Sequence, residues 1–326
     1  MQAVLPSLSR RAALAALAAL PFAARAQTFP ARPLRLIVPY PTGGVSDLVA
    51  RALAEHMATA LGQPVVVDNK AGASGTIGMG LLARAPADGS TLAFSAISPL
   101  TLSPALGKVP YEGERAFTPV ASVMVSPVLL LGTSALPARD FRELIALARD
   151  KPGTVRWATS GPASLGHIML EQLQAAAKVR MVHIPYKGGG QQITDALGGQ
   201  FEVLSTNAGP VLTEHIKAGR LRALAVGAPR RLEALPQVPT LAELGFPAAN
   251  LSSHFGVFAP AGLPPAILER LNGEVNAALQ APPVRQRLVA SENVPTGGSA
   301  QDFARQIAAE AESSARIIRA AGIKSE

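Results

Sequence analysis

An apolar run, a glycine-bearing turn and an amphipathic helix follow one another repeatedly along this chain, and that order narrows its fold more than any other feature. It is plainest in "LRLIVPYPTGGVSDLVARALAEHM" from Leu34, where residues 34–39 read as an apolar strand. Leu48, Val49, Ala52, Leu53 and Met57 then recur at helical spacing until Leu61-Gly62 closes the helix. "HIPYKGGGQQITDAL" from His183 has the same grammar: Pro-Tyr, glycines, then a helical pattern. A chain that builds this turn twice, well apart in sequence, raises the question of what two such turns do together.

The rest of the chain keeps the alternation. "PVVVD" from Pro64, "STLAFS" from Ser90, "GTVRWATSG" from Gly153, "VRMVHIP" from Val179, "GQFEVLSTN" from Gly199 and "GRLRALAVG" from Gly219 read as strands, with helices over 140–149, 165–177 and 211–218. Strands alternating with helices at this spacing mean βαβ units and a parallel sheet, so the fold class is α/β. "VASVMVSPVLLLG" from Val120 is a β-rich run long enough to carry the chain from one lobe to another, and "SSHFGVFAPAGLP" from Ser252 reads as the return crossing. After Pro264 the chain is largely helical, with prolines suited to a first helical turn. The expected layout is lobe 1 from 27–122 plus 227–326, with lobe 2, 123–226, inserted. Two crossover strands would form a hinge, and the carboxyl ends of the sheet strands would face a cleft, where ligands of open α/β sheets bind.

The first 26 residues stand apart. A basic "SRR" at 9–11, an Ala/Leu-rich run over 12–24 and "ARA" at 24–26 have the order of a cleaved export signal, the apolar run being too short to span a bilayer. Arg10-Arg11 fits twin-arginine export, whereas the alanines that follow fit the general secretory route. Removal of Arg10, Arg11 and Arg25 lowers the formal charge from +8 to +5. That mild excess, with no Lys/Arg block, is no nucleic-acid footprint and suits an anionic ligand. The chain has no cysteine, which excludes disulfides, a thiol nucleophile and a lipidated cysteine after the signal. The expectation is a soluble, monomeric periplasmic protein.

Glycines before a helix expose unpaired backbone N–H groups at the positive end of the helix dipole, a ready anion site. "YPTGGVSD" adds the hydroxyls of Thr42 and Ser46, and "YKGGGQQ" adds Lys187. Two such cradles, one per lobe, could face each other. Neither a phosphate-binding G-x-x-x-x-G-K-[ST] nor a dinucleotide G-x-G-x-x-G after a strand is present, which argues against a nucleotide, and no cofactor is expected. A third turn, "ATSGPASLGH", brings Ser160, Ser164 and His167 to a strand-to-helix junction. "PASLG" approaches the nucleophile elbow of hydrolases, but Pro162 replaces its first glycine and His167 follows Ser164 by only three residues, so N-capping and ligand hydrogen bonds are the simpler reading. Asp47 fits either a ligand ammonium or an i,i+4 pair with Arg51. Asn207, after a strand end, is a polar cleft candidate. The histidines lack metal-ligand spacing, and no metal is expected.

Taken together, these blocks resemble the periplasmic solute-binding proteins of tripartite tricarboxylate transporters, the Bug family. The resemblance runs through "FPARPLRLIVPYPTGGVSDLVARALAEHM", "LGQPVVVDNKAGASGTIG", "PADGSTLAFS", "SGPASLGH", "HIPYKGGG", "RLEALPQVPTLAELGFP" and "FAPAGLP" in that order. It implies a type II-like periplasmic-binding fold closing over a small carboxylate, no enzymatic activity, and delivery to membrane transporter subunits. It implies ligand contacts from Tyr40, Pro41, Thr42, Gly43, Gly44, Ser46 and Asp47 in one lobe; Ser95, in the strand beside that turn, is a further candidate. Ser160, Ser164, His167, Tyr186, Lys187, Gly188 and Gly189 would close from the other lobe, where Asn207 is the candidate named above. The chain departs from the family at Ser74, where the turn usually has glycine, and at His254, where an aromatic is common. An extracytoplasmic sensor without transport and an esterase using Ser164 are the alternatives.

Overall fold

The structure is a computed structural model that describes residues 29–321; the export-signal reading of residues 1–26 lies outside the described residues. Ten strands and nine helices of eight or more residues are formed among the described residues. The first lobe opens with β1 (Leu34–Val38), α1 (Val45–Leu61), β2 (Val65–Asn69), α2 (Thr76–Ala83) and β3 (Thr91–Ala96). Helix α1 forms where the sequence spaces its apolar residues: Val49, Leu53, Met57 and Leu61 are buried on one side, and Gly62 at φ 67° ends it in the left-handed conformation that glycine adopts at no steric cost.

β4 (Phe117–Gly132) then runs for sixteen residues, roughly 50 Å at strand rise, and belongs to both lobes. Its first part pairs antiparallel with β9 (Ser252–Pro260), and its last part, from Val128, pairs with β7 (Val203–Asn207) and β8 (Arg222–Gly227). Pro127 stands at the change of partner, a position where a residue without an N–H breaks the ladder least. The second lobe is completed by α3 (Phe141–Asp150), β5 (Arg156–Thr159), α4 (Leu165–Ala177), β6 (Val182–Pro185), α5 (Gly189–Leu197) and α6 (Pro210–Lys217). After β9 the chain returns to helices α7 (Pro265–Gln280) and α8 (Pro282–Ala290), the two-residue β10 (Val294–Pro295) and α9 (Ala300–Ala321).

The two sheets share one topology. In the first, β2, β1 and β3 are parallel, β9 returns antiparallel beside β3, and β4 lies outside it. In the second, β6, β5 and β7 are parallel, β4 is the antiparallel strand, and β8 lies outside it. The equivalent of the "YPTGG" turn after β1 is therefore "TSGPAS" after β5, and the second Pro-Tyr turn follows edge strand β6. The likeness of the two Pro-Tyr turns is local chemistry, not matching topology.

Each lobe has its own core. Leu36, Leu53, Phe94 and Val257 belong to the first, and Trp157, Leu170, Leu173 and Val203 to the second. Leu232, Leu235, Val238, Leu241 and Ala249, which the sequence reading leaves with the first lobe, pack into the second. The segment after β8 makes no strand of the first sheet until β9, so residues 228–250 go with the second lobe, and the lobe boundary falls at the return crossing read from Ser252 and not at 227. Deleting a buried leucine side chain such as Leu53 or Leu170 costs about 2–5 kcal/mol in cores of this kind.

Candidate functional site

Between the lobes lies a cavity with about 100 Å³ of free space, room for several waters or a small organic acid. Four helix N-termini open onto it. Gly44, Val45 and Ser46 come from α1; Ser164, Leu165 and Gly166 from α4; Gly189 and Gly190 from α5; and Gly209, Pro210 and Val211 from the start of α6. Helices α1, α5 and α6 have glycine at the N-cap and no side-chain cap, so their first-turn N–H groups are left for a ligand. Each terminus carries roughly half a positive charge, and among the described residues no Asp, Glu, Lys, Arg or His lines the cavity. The site is thus electropositive without containing a cation.

Hydroxyls supply the directional contacts. Ser46, Ser74, Ser98, Ser160, Ser164, Ser205, Thr206 and Ser253 reach the cavity, with the Asn207 amide. Ser205 Oγ accepts the indole N–H of Trp157 at 2.9 Å, which fixes its lone pairs and leaves its hydrogen to be donated. Leu48, Val128, Ile193, Val211, Leu212 and Phe255 give the remaining wall its apolar character.

The lobes touch over the cavity, so the conformation is closed. Ser74 Oγ of the first lobe donates to the Pro162 carbonyl of the second. Gly188 lies against Pro41, so the two Pro-Tyr turns meet face to face, and Gly209 lies against Val45. The tyrosines of those turns anchor backwards: Tyr40 OH accepts the Ala96 N–H at 3.3 Å, and Tyr186 OH donates to Asp195 at 2.7 Å. Burial pushes both phenols up to about 12, partly offset at Tyr40 by its bonds to Ser95 and Ala96 and reinforced at Tyr186 by Asp195. Both are neutral donors or acceptors at any ordinary pH.

Of the residues named from the sequence, Tyr40, Pro41, Gly43, Gly44, Ser46, Ser160, Ser164, Gly189 and Asn207 come together around the cavity. The others do not line it. Thr42 and Lys187 are exposed outside it. Ser95 is fully buried, its hydroxyl donating to the Ala96 carbonyl at 2.8 Å. Asp47 turns away into the first lobe, where its carboxylate takes the Gly43 N–H at 3.0 Å, the Asn69 amide at 3.0 Å and the Arg51 guanidinium at 2.9 Å. Burial raises its pKa, but the bonds from Arg51, Gly43 and Asn69 outweigh that and hold the carboxyl below the usual range. His167 is buried behind the 160–164 turn, stacked flat on His183 with ring centroids 4.1 Å apart. Tyr186 is committed to Asp195, and Gly188 is an inter-lobe contact.

Ser164 is the N-cap of α4: its Oγ accepts the backbone N–H of His167 at 3.3 Å, while the His167 ring accepts the Ala163 N–H through Nδ1. The serine therefore meets the backbone of His167 and not its imidazole, the opposite of a nucleophile activated by a base. Sequence reasoning missed Ser74, Ser98, Ser205, Thr206, Gly209 and Ser253. Ser205, Thr206 and Gly209 carried a usable signal, since "LSTNAGP" places hydroxyls at a strand end and a proline at the first turn of the next helix.

Comparison with known proteins gives a consistent picture. A profile described as the tripartite tricarboxylate transporter family receptor matches residues 49–323. Protein BugT of Bordetella pertussis is 39% identical over 303 residues, 92% of each chain. Among solved structures, an R. palustris protein with adipate superposes with a TM-score of 0.85 at 33% identity, covering 91% of this chain and 100% of that one. MatC from Rhodopseudomonas palustris with bound malate gives 0.84 at 29% identity, covering 89% and 100%. The chain accordingly belongs to the TctC family of tripartite tricarboxylate transporter receptors, the Bug-type solute-binding proteins.

Proposed function

We propose that this protein is a periplasmic receptor that captures a small carboxylate between its lobes and delivers it to the membrane subunits of a tripartite transporter, without chemical change. The observation that carries this reading is the convergence of four helix N-termini from both lobes on one cavity free of charged side chains. Such a site stabilises a carboxylate through backbone N–H groups and hydroxyls. It draws contacts from both lobes, which is the condition for a ligand to favour the closed state. The adipate and malate held by two solved relatives support the ligand class. Monomeric action, export by the N-terminal segment and contacts from the cavity-lining hydroxyls belong to the same proposal.

The test is thermal unfolding of the chain from Gln27 against a panel of mono-, di- and tricarboxylates, amino acids and aromatic acids. A ligand at a hundredfold its dissociation constant adds about 2.7 kcal/mol, several degrees for a chain this size. Stabilisation confined to a few carboxylates is the expected result. No stabilisation by any member of the panel, in protein freed of co-purified ligand, would contradict it.

A further inference from the structure

His167 was expected to touch ligand, and it lies behind the turn that lines the cavity. The 160–164 turn has three jobs in the closed form: Ser160 and Ser164 line the cavity, and Pro162 takes the inter-lobe hydrogen bond from Ser74. Its backbone is held in conformations that seldom form unaided, with Gly161 at φ 130° and the non-glycine Ala163 at φ 58°. Two histidines brace it from behind. His167 Nδ1 accepts the Ala163 N–H at 3.3 Å. His183 Nε2 is bonded at 2.7 Å to Thr159 Oγ1, and that hydroxyl bonds both the N–H and the C=O of Gly161 at 3.1 Å. The two rings stack within 3° of parallel, so each fixes the plane of the other.

His167 is also the third residue of α4, three after its N-cap. In a capping box that position holds Glu or Gln, whose side chain reaches back to the N-cap N–H. Here an imidazole reaches one residue further, to the N–H of Ala163, while Ser164 caps the N–H of His167 in return. The acceptor nitrogen must carry no proton, which puts the ring proton on Nε2, facing Glu171 Oε1 at 3.8 Å.

We infer that His167, stacked on His183, is the positioning residue of the carboxylate site: it sets the strained 160–164 turn so that Ser160 and Ser164 face the cavity and the Pro162 carbonyl meets Ser74. The inference rests on the carboxylate-receptor reading for what the turn binds, but not for how the turn is held.

Two substitutions separate the acceptor from the ring. His167→Phe keeps an aromatic face on His183 and removes the acceptor, whereas His167→Asn keeps an acceptor oxygen near the Nδ1 position and removes the ring. In ¹H–¹⁵N spectra of ligand-free protein, the Ala163 amide of His167→Phe should shift and exchange faster with solvent, while His167→Asn stays close to wild type. In calorimetric titrations with malate and adipate, affinity should fall roughly tenfold in His167→Phe and recover to within about threefold of wild type in His167→Asn. Should His167→Phe fail to fold, Thr159→Val removes the parallel brace and is expected to show the same loss at the Gly161 amide. A wild-type Ala163 amide in His167→Phe, or equal losses in the Phe and Asn variants, would overturn the inference. If wild-type protein binds neither acid, the receptor reading loses those two ligands and the amide comparison still decides the role of His167.

Discussion

Gly188 of the second lobe stands so close to Pro41 of the first that a Cβ placed on it would lie 2.7 Å from Pro41 Cγ and closer still to Cδ. The contact joins the two Pro-Tyr turns across the cleft in the closed form. Gly188 also has φ 142°, which side-chain-bearing residues rarely adopt.

Gly188→Ala is therefore expected to act chiefly on closure. The unliganded melting temperature should change by a few degrees at most, while carboxylate affinity falls at least about tenfold, the equivalent of 1.4 kcal/mol. Calorimetry with small-angle scattering checks this: the variant should stay expanded at ligand concentrations that compact the wild type.

Ser164 combines a helix cap with a place on the cavity wall. Ser164→Ala should lower stability by about 1 kcal/mol through the lost cap and weaken carboxylate binding as well. Thermal melts with and without ligand read the two effects separately. Generic ester substrates should not be turned over by the wild type, because the His167 ring faces Ala163 and not the serine hydroxyl.

Asp47 supports the site without entering it. Its ionised carboxylate holds the Gly43 N–H and the Asn69 amide, and its pKa lies below the ordinary 3.8. The stability it contributes is complete above that value and is lost as pH falls through the lower folded value. Asp47→Ala should cost about 1–2 kcal/mol in denaturant unfolding, since it removes the acceptor of the half-buried Asn69 amide and of the Gly43 N–H. Its ligand preference should stay the same, which a panel of carboxylates would show.

His167 responds to acid in the same direction as Asp47 but in a higher pH window. Burial, then the neighbouring His183, lowers its pKa from 6.5 to about 4. Between those values the unfolded chain takes up a proton that the folded protein refuses, so stability is full above pH 6.5 and declines toward pH 4, by about 3 kcal/mol at most. Melting temperature followed from pH 7 to 4 should show this slope in the wild type and a flatter one in His167→Phe.

Much of the fold could be read from the sequence because its signals are local. Val49, Leu53 and Met57 mark one face of α1, Gly62 ends it, and the length of the run through Val128 announces a strand shared by both lobes. The turns were legible too, since glycine before a helix exposes N–H groups whatever surrounds it. What could not be read was direction. Asp47, Tyr186 and His167 sit in the right turns but point into their own lobes, where Arg51, Asp195 and His183 hold them. Those partners are 4, 9 and 16 residues away, and only the packed structure shows which choice each side chain makes. Ser74, Ser98 and Ser253 were missed for the converse reason, since nothing local distinguishes them from surface serines until the lobes close. The return crossing at Ser252 was legible, but the membership of residues 228–250 in the second lobe was not, because that segment carries apolar residues without a strand pattern.

The most direct measurement is isothermal calorimetry of the chain from Gln27 with malate, adipate and further small carboxylic acids, each beside its methyl ester. A cavity whose only positive potential comes from helix N-termini and hydroxyls should bind one or more of the acids saturably and lose the corresponding ester by a hundredfold or so, since the ester presents no anion to four helix ends. Equal binding of acid and ester, or binding of the esters alone, would show that the helix termini do not select a carboxylate and would contradict the central claim.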